Sequence, residues 1–293
     1  MCFLCDFKAQ APALAPHRWQ ARRGFLLAGA AAAAGTAWPA LAQVNVGKAS
    51  EVRKLVPAET LEMSAQDQYR QVLAQARSQR ALAPDGYPQL ERLRTIARRL
   101  IPHAQPWNPR AARWQWEINL IGSKQINAWC MPGGKIAFYN GILETLKLSD
   151  DEAAMIMGHE MAHALREHAR ERLAKTQMTN LGVSIATQLF GLGQVGQMVG
   201  DLGAQLLVLK YSREDESEAD LVGLEIAARG GYAPEASVSL WQKMKQAQDG
   251  SKGGGGGRSA DFFSTHPNNT DRIQQLQDNV PKVQGLYEQA RQR

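Results

Sequence analysis

Cysteine is scarce in this sequence, which has three in its 293 residues. Cys2 and Cys5 lie at the extreme amino terminus, so Cys130 is the single cysteine of the remaining chain. One cysteine cannot form an internal disulfide, so we expect a hydrophobic core to stabilise the fold. We interpret Cys130 as a small buried apolar residue rather than as a reactive thiol.

A strong excess of one charge is also absent from most of the chain. The formal net charge is +6. Residues 1–42 hold four basic residues and one acidic residue, so half of this excess belongs to them. The rest is spread along the chain without a basic stripe. We therefore expect no nucleic-acid partner.

The amino-terminal residues have the order of an export signal. Arg22 and Arg23 precede an Ala/Gly-rich apolar run that reaches Trp38, and residues 40–42 are Ala-Leu-Ala. Basic, apolar and then small residues predict that residues 1–42 are a cleaved signal peptide, and the paired arginines before Gly-Phe-Leu indicate the twin-arginine type. The apolar run of about 15 residues is short against the roughly 20 of a membrane-spanning helix. We therefore predict a periplasmic protein.

Periodicity divides the remaining chain into a linker over residues 43–58 and one domain over residues 59–293. A period near 3.6 predicts helices over residues 60–82, 88–101, 141–147, 149–175, 214–229, 234–248 and from about 269 onward. A period of two predicts strands over residues 114–120, 126–131 and 135–139. The last of these strands lies either beside a substrate cleft or inside the sheet.

One long stretch carries no charge at all. Residues 176–200 could span a membrane, but they contain four glutamines and the breaker Gly-Leu-Gly at 191–193. A helical hairpin packed on the domain is the better interpretation, with a peripheral membrane contact through residues 176–209 left open. Gly253 to Gly257 are five consecutive glycines, which predict a flexible loop.

The predicted helix over residues 149–175 contains the pattern His-Glu-x-x-His. His159 and His163 are four residues apart, so both imidazoles lie on one helix face, where they can bind one metal ion. Glu160 flanks the pair and can hydrogen-bond a water at the metal. The pattern also occurs by chance, so it is suggestive only.

A second predicted helix offers the missing ligand. The first helix is apolar around its histidines, and buried imidazoles need a polar partner. Glu216 can complete a His₂Glu site with one position left for water, and Asp220, one turn later, can accept the free ring N–H of a ligand histidine. This donor set suits one catalytic Zn²⁺ per chain.

Several motifs in the same order carry a resemblance to a known family. The matching residues are His159-Glu160-x-x-His163 with His168, Ser212-Arg213-x-x-Glu216-x-x-Ala219-Asp220 with Gly223, Asn127-Ala128, Pro132-Gly133-Gly134-x-Ile136 with Gly141, Thr265-His266-Pro267 and Asp271-Arg272-Ile273. In these residues the chain resembles the M48 family of zinc metallopeptidases, in particular exported bacterial members related to the mitochondrial Oma1-type peptidases.

The resemblance implies a zinc-dependent endopeptidase that degrades misfolded or stalled envelope proteins. His159, His163 and Glu216 would bind zinc, and Glu160 would be the general base. The expected fold class is α+β, mainly helical, with a small sheet beside the HExxH helix as in zincins. His266 is a hypothesis of its own: it either caps the zinc in the idle enzyme or donates to the oxyanion.

Weaker assignments and rival functions complete the expectations. Arg272 and Tyr211 are weaker oxyanion candidates, and a structural role is the favoured interpretation of each. His168 is turned off the metal face, so it is not a ligand. One rival is a zinc-binding periplasmic chaperone or adaptor without proteolytic turnover, which would not need Glu160. Another is an integral membrane peptidase that uses residues 176–200 as its span.

Overall fold

The computed structural model describes residues 44–183, 206–207, 209–252, 262, 265–266 and 271–293. The side chains of residues 177–183 and 250–252 are not described. The predicted signal peptide and the five-glycine loop lie outside the described residues. Most of the uncharged stretch over residues 176–200 also lies outside the described residues. Its first part, up to Val183, belongs to the end of a helix.

The described residues are mainly helical. The helices are α1 (Ala58–Ser78), α2 (Pro88–Leu100), α3 (Asn140–Thr145), α4 (Asp150–Leu165), α5 (His168–Val183), α6 (Arg213–Arg229), α7 (Ala236–Lys252) and α8 (Asp271–Arg291). Short 3-10 helices cover Glu51–Leu55, Ile101–His103 and Pro109–Arg113. No helix in the described ranges combines the length and apolar character that a membrane span requires.

Three short strands form one sheet. They are β1 (Glu117–Ile121), β2 (Ala128–Met131) and β3 (Lys135–Tyr139), in the spatial order β1-β3-β2. β3 pairs in parallel with β1 and antiparallel with β2, so it is the central strand. Of the two positions that the sequence left open for β3, the structure therefore shows the internal one, and β2 is the edge strand that packs against α4. The predicted α+β class with a small sheet beside the HExxH helix is confirmed.

Two glycines let the central helices cross at very short range. A Cβ atom on Gly158 of α4 would lie 2.7 Å from the Gly223 carbonyl oxygen of α6, and a Cβ on Gly223 would lie 2.6 Å from the backbone nitrogen of His159. Only glycine permits this backbone contact. The crossing places the turn of α6 before Gly223 against the histidine face of α4.

Helix α4 begins as predicted and ends earlier than predicted. Ser149 and Glu152 form a capping box at its start. The expectation of a continuous helix to residue 175 is wrong, because α4 ends at Leu165 and Glu167 adopts a left-handed backbone conformation with φ 60°. The Glu167 carboxylate is held by Arg53 at 2.8 Å and by Arg170 at 2.9 Å. The chain therefore bends, and α5 starts in a new direction.

The amino-terminal part of the described chain is packed rather than extended. Val44 and Val56 are buried, and the Val44 N–H donates to the buried Glu225 carboxylate at 3.0 Å. The 3-10 helix Glu51–Leu55 contacts α5. Helix α1 also ends before the predicted residue 82, because Leu82 instead forms a β-bridge with Ile121.

Candidate active site

Helices α4 and α6 bring three of the predicted metal-binding side chains together. The Nε2 atoms of His159 and His163 are 3.1 Å apart on one face of α4. From α6, the Glu216 carboxylate reaches both rings, with Oε1 3.3 Å from His163 Nε2 and Oε2 3.6 Å from His159 Nε2. All three side chains are buried. Burial would strengthen the electrostatic attraction between these groups and a cation, because the effective dielectric constant there is lower than in water.

A buried arginine fixes the carboxylates of α6. Arg272 of α8 contacts Asp220 through Nε at 2.6 Å and through a terminal nitrogen at 2.7 Å, and Glu216 through its other terminal nitrogen at 2.7 Å. Its guanidinium lies 3.6 Å above the Trp241 ring. Burial raises the pKa of Asp220, but Arg272 outweighs it and holds that pKa below its usual value. Arg272 thus orients two carboxylates.

The ionised Asp220 in turn orients His159. Asp220 Oδ1 lies 3.0 Å from Nδ1 of His159. A carboxylate at this position accepts a hydrogen bond from the Nδ1–H group of His159. The lone pair of His159 is then on Nε2, which faces the cluster. Glu216 is also ionised. Its burial would raise the pKa, yet His266 and Arg272 together lower the pKa of Glu216 well below its usual value.

Glu160 also lies beside this cluster. Its side chain is buried, and Oε1 forms no hydrogen bond with any described residue. Burial raises the pKa of Glu160, although the nearby His266 and His159 act against that rise. A buried carboxylate with a raised pKa suits proton transfer near neutral pH.

His266 reaches the cluster from a third part of the chain. Its Nδ1 lies 2.9 Å from Glu216 Oε1 and 3.4 Å from His159 Nε2, and its Nε2 lies 3.6 Å from Glu160 Oε1. The ring stacks on Phe262 with centroids 4.4 Å apart. Burial lowers the pKa of His266, but Glu216 and Glu160 outweigh it, and the net shift is upward.

Tyr211, the other weak oxyanion candidate, supports this arrangement from the side. Its ring stacks on His163 with centroids 3.9 Å apart, and its backbone N–H donates to the Thr265 carbonyl at 3.1 Å. Tyr211 therefore packs against one predicted ligand and ties down the residue next to His266. Neither contact can be inferred from the sequence spacing.

The donor set fits a zinc ion. One ligand atom each from His159, His163, Glu216 and His266 can be chosen so that all four lie within 4.8 Å of one another. Two imidazoles and a carboxylate are the usual ligands of catalytic zinc, and the three belong to two crossing helices. Glu160, next to His159 on α4, is buried beside these ligands, and its Oε1 forms no hydrogen bond with a described residue. Zinc is the cofactor that these residues would hold.

An HExxH helix crossed by a helix that supplies a glutamate, beside a small sheet, defines a zincin-like metallopeptidase. The comparison with protein families agrees. The chain matches Peptidase family M48 over residues 89–280, and it belongs to that family. The resemblance drawn from the sequence motifs is confirmed.

Similar proteins carry related names. The chain is 29% identical over 221 residues to the mitochondrial metalloendopeptidase OMA1 of Schizosaccharomyces pombe, covering 75% of this chain and 61% of that protein. It is 34% identical over 161 residues to OMA1 of Arabidopsis thaliana, covering 55% of this chain and 31% of the plant protein. The metalloprotease LoiP of Escherichia coli is 27% identical over 209 residues, 69% of this chain and 75% of LoiP. The chain thus spans less than two thirds of the two mitochondrial relatives.

Proposed function

We propose that this protein is a zinc-dependent endopeptidase of the cell envelope that cleaves misfolded or stalled envelope proteins. One observation supports the peptidase activity most directly: the buried Glu160 carboxylate lies beside a His₂Glu cluster, and its Oε1 forms no hydrogen bond with a described residue. A zinc-binding chaperone without turnover has no use for that carboxylate. The M48 membership and the metallopeptidase names of the relatives support the same activity.

The residues divide the chemistry among them. Zinc, when bound by His159, His163 and Glu216, supplies Lewis-acid chemistry that acidifies water and polarises the peptide carbonyl. Glu160 accepts a proton from the water while the water oxygen forms a bond to the carbonyl carbon. The same carboxyl then gives that proton to the amine nitrogen as the C–N bond breaks.

The edge strand β2 offers a place for an extended substrate. The Asn127 carbonyl oxygen accepts a hydrogen bond from the Tyr139 N–H at 3.0 Å. Hydrogen-bonded and non-bonded residue pairs alternate along an antiparallel ladder, so the backbone N–H and C=O groups of Ala128 and Cys130 point away from β3. β2 lines the same pocket as Glu160 and His266. A polypeptide that adds as a strand at this edge would bring its backbone past the general base. This assigns to β2 the role that the sequence had left open for β3.

His266 gives the site a closed state. His266 belongs to the group of four residues whose ligand atoms lie together, so with zinc bound it would be a fourth ligand in the place of water or substrate. Catalysis then requires that His266 moves away from the cluster. The contact of Nδ1 with Glu216 supports the cap. Nε2 lies 3.6 Å from Glu160 Oε1, in the pocket that β2 also lines, so the oxyanion donor is kept as the alternative that the variant His266→Ala tests.

The decisive experiment for the activity compares the full chain with Glu160→Gln. We expect the zinc-loaded wild type to cleave casein and an unfolded outer-membrane protein, and the variant to bind zinc equally but to cleave neither. Cleavage by the variant at the wild-type rate would contradict the role of Glu160. Zinc binding without cleavage by both the wild type and His266→Ala would favour the chaperone.

The envelope location rests on residues 1–42 and has a separate test. If they are a twin-arginine signal, replacing Arg22 and Arg23 together with lysine should keep the protein in the cytoplasm. The wild type should be released by osmotic shock without detergent. Retention in the membrane fraction would instead favour an integral or firmly attached peptidase.

A further inference from the structure

A line of buried polar contacts leads outward from the candidate metal site. The inner nitrogen of His163, Nε2, faces the cluster, and its outer nitrogen, Nδ1, lies 2.9 Å from Nδ1 of His168. The second nitrogen of His168, Nε2, lies 3.1 Å from the Glu218 carboxylate. Arg166 forms an ion pair with Glu218 and donates to the Gly47 carbonyl at 3.0 Å. His168 itself is 1% exposed.

The bend after α4 makes this line possible. In a continuous helix, side chains five residues apart lie on different faces and do not meet. The left-handed conformation of Glu167 ends α4 and turns the first residue of α5 back toward the ligand face. The prediction that His168 is not a ligand stays consistent with this position, because it contacts a ligand instead.

When His168 is neutral, the line has one consistent direction for its protons. Glu218 is paired with Arg166, and as a carboxylate it can only accept, so His168 carries its proton on Nε2. His168 Nδ1 is then an acceptor, and His163 must carry its own proton on Nδ1. This leaves the Nε2 lone pair of His163 facing the cluster, where a metal ion needs it.

We infer that His168 and Glu218 are positioning residues, which fix the ring orientation and the metal-binding tautomer of His163. They do for His163 what Asp220 does for His159, with an imidazole inserted between ligand and carboxylate. This inference rests on the proposed function, since it takes His163 as a zinc ligand. Outer partners of metal-binding histidines typically change metal affinity about 10–100-fold.

The test measures zinc affinity of the full chain by competition with a chelator. We expect His168→Ala to weaken zinc binding by about 10–100-fold. His168→Asn should lose less, because its side-chain oxygen can still accept from Nδ1 of His163. Glu218→Gln should also weaken binding. His103→Ala is the matched control and should bind zinc like the wild type, because His103 lies in the 3-10 helix Ile101–His103 and is not one of the grouped ligand residues.

A second measurement does not depend on the variants folding. Nitrogen-15 NMR of histidines in the zinc-loaded wild type should show the proton of His163 on Nδ1 and that of His168 on Nε2. The opposite tautomer of either ring overturns the inference. So does unchanged zinc affinity in both His168→Ala and Glu218→Gln. Failure of the wild type itself to bind zinc would contradict the proposed function instead.

Discussion

Arg272 is the residue on which the charge balance of the candidate site depends. It is 1% exposed and contacts two buried carboxylates, Glu216 and Asp220. Removing one partner of a buried ionic group leaves the others without a counter-charge, which typically costs about 3–5 kcal/mol. We expect Arg272→Met, which keeps much of the apolar side chain, to lower the free energy of unfolding of the metal-free protein by that amount.

Urea unfolding in the presence of a chelator measures this loss. Arg98→Met is the control, because Arg98 is exposed on α2, and its free energy of unfolding should change by less than about 0.5 kcal/mol. Arg272→Lys retains a positive charge and should lose less than Arg272→Met. Equal stability of Arg272→Met and Arg98→Met would show that the carboxylates do not need the guanidinium.

His266→Ala separates a cap from an oxyanion donor. If His266 fills the position that substrate needs, its removal should weaken zinc binding and speed casein hydrolysis, by about 10-fold where the open state holds about a tenth of the molecules. The measurements are zinc affinity and hydrolysis at saturating zinc. Slower hydrolysis with unchanged zinc affinity would instead favour the donor. If neither quantity changed, His266 would have no part in the site.

At the residue scale, the sequence predicts those parts of the site whose geometry depends only on spacing along one helix. His159 and His163 share a face because they are four apart on one helix, and so do Glu216 and Asp220. For Arg272 and Tyr211 the sequence favours a structural role over an oxyanion role, but it does not predict which residues they contact. Their observed contacts depend on how helices pack, and no local pattern records that packing.

At the scale of elements, the crossing of α4 and α6 depends on Gly223. A methyl group there would lie 2.6 Å from His159 N and 2.7 Å from the Gly158 carbonyl carbon, both backbone atoms that cannot rotate away. We expect Gly223→Ala to separate the helices, to cost about 1–3 kcal/mol of stability, and to weaken zinc binding because Glu216 moves with α6.

Gly285 in α8 provides the matched control. Nothing lies within 4 Å of a Cβ atom built at that position, so Gly285→Ala should leave zinc affinity unchanged. Since alanine is a better helix former than glycine, its stability should be equal or up to about 1 kcal/mol higher. If Gly223→Ala bound zinc and unfolded like Gly285→Ala, the close crossing would not be what positions Glu216.

Boundaries of elements show where local patterns stop being informative. The capping box of Ser149 and Glu152 correctly predicts the start of α4, because a cap is a local interaction. The end of α4 is not visible in the sequence, since no glycine or proline marks it. It depends on Glu167, whose conformation is held by Arg53 from a distant part of the chain. The same bend brings His168 to His163, so the sequence predicts neither the end of α4 nor this contact.

At the scale of the whole molecule, the candidate site joins segments that are far apart in sequence. His159 and His163 belong to α4, Glu216 belongs to α6, and His266 lies 50 residues further along the chain than Glu216. The buried groups of the site carry opposite charges that balance one another only in the folded state. An unfolded chain cannot gather these ligands, so zinc should bind the native state almost exclusively.

Zinc should therefore stabilise the entire fold by mass action. At a free concentration 100 times the dissociation constant, the expected gain in the free energy of unfolding is about 2.7 kcal/mol. Denaturant unfolding with zinc and with a chelator measures it. Glu160→Gln should show the full gain because it keeps every proposed ligand, whereas Glu216→Gln should show much less. An equal gain in Glu216→Gln would mean that zinc binds elsewhere, and the helix crossing would then not be a metal site.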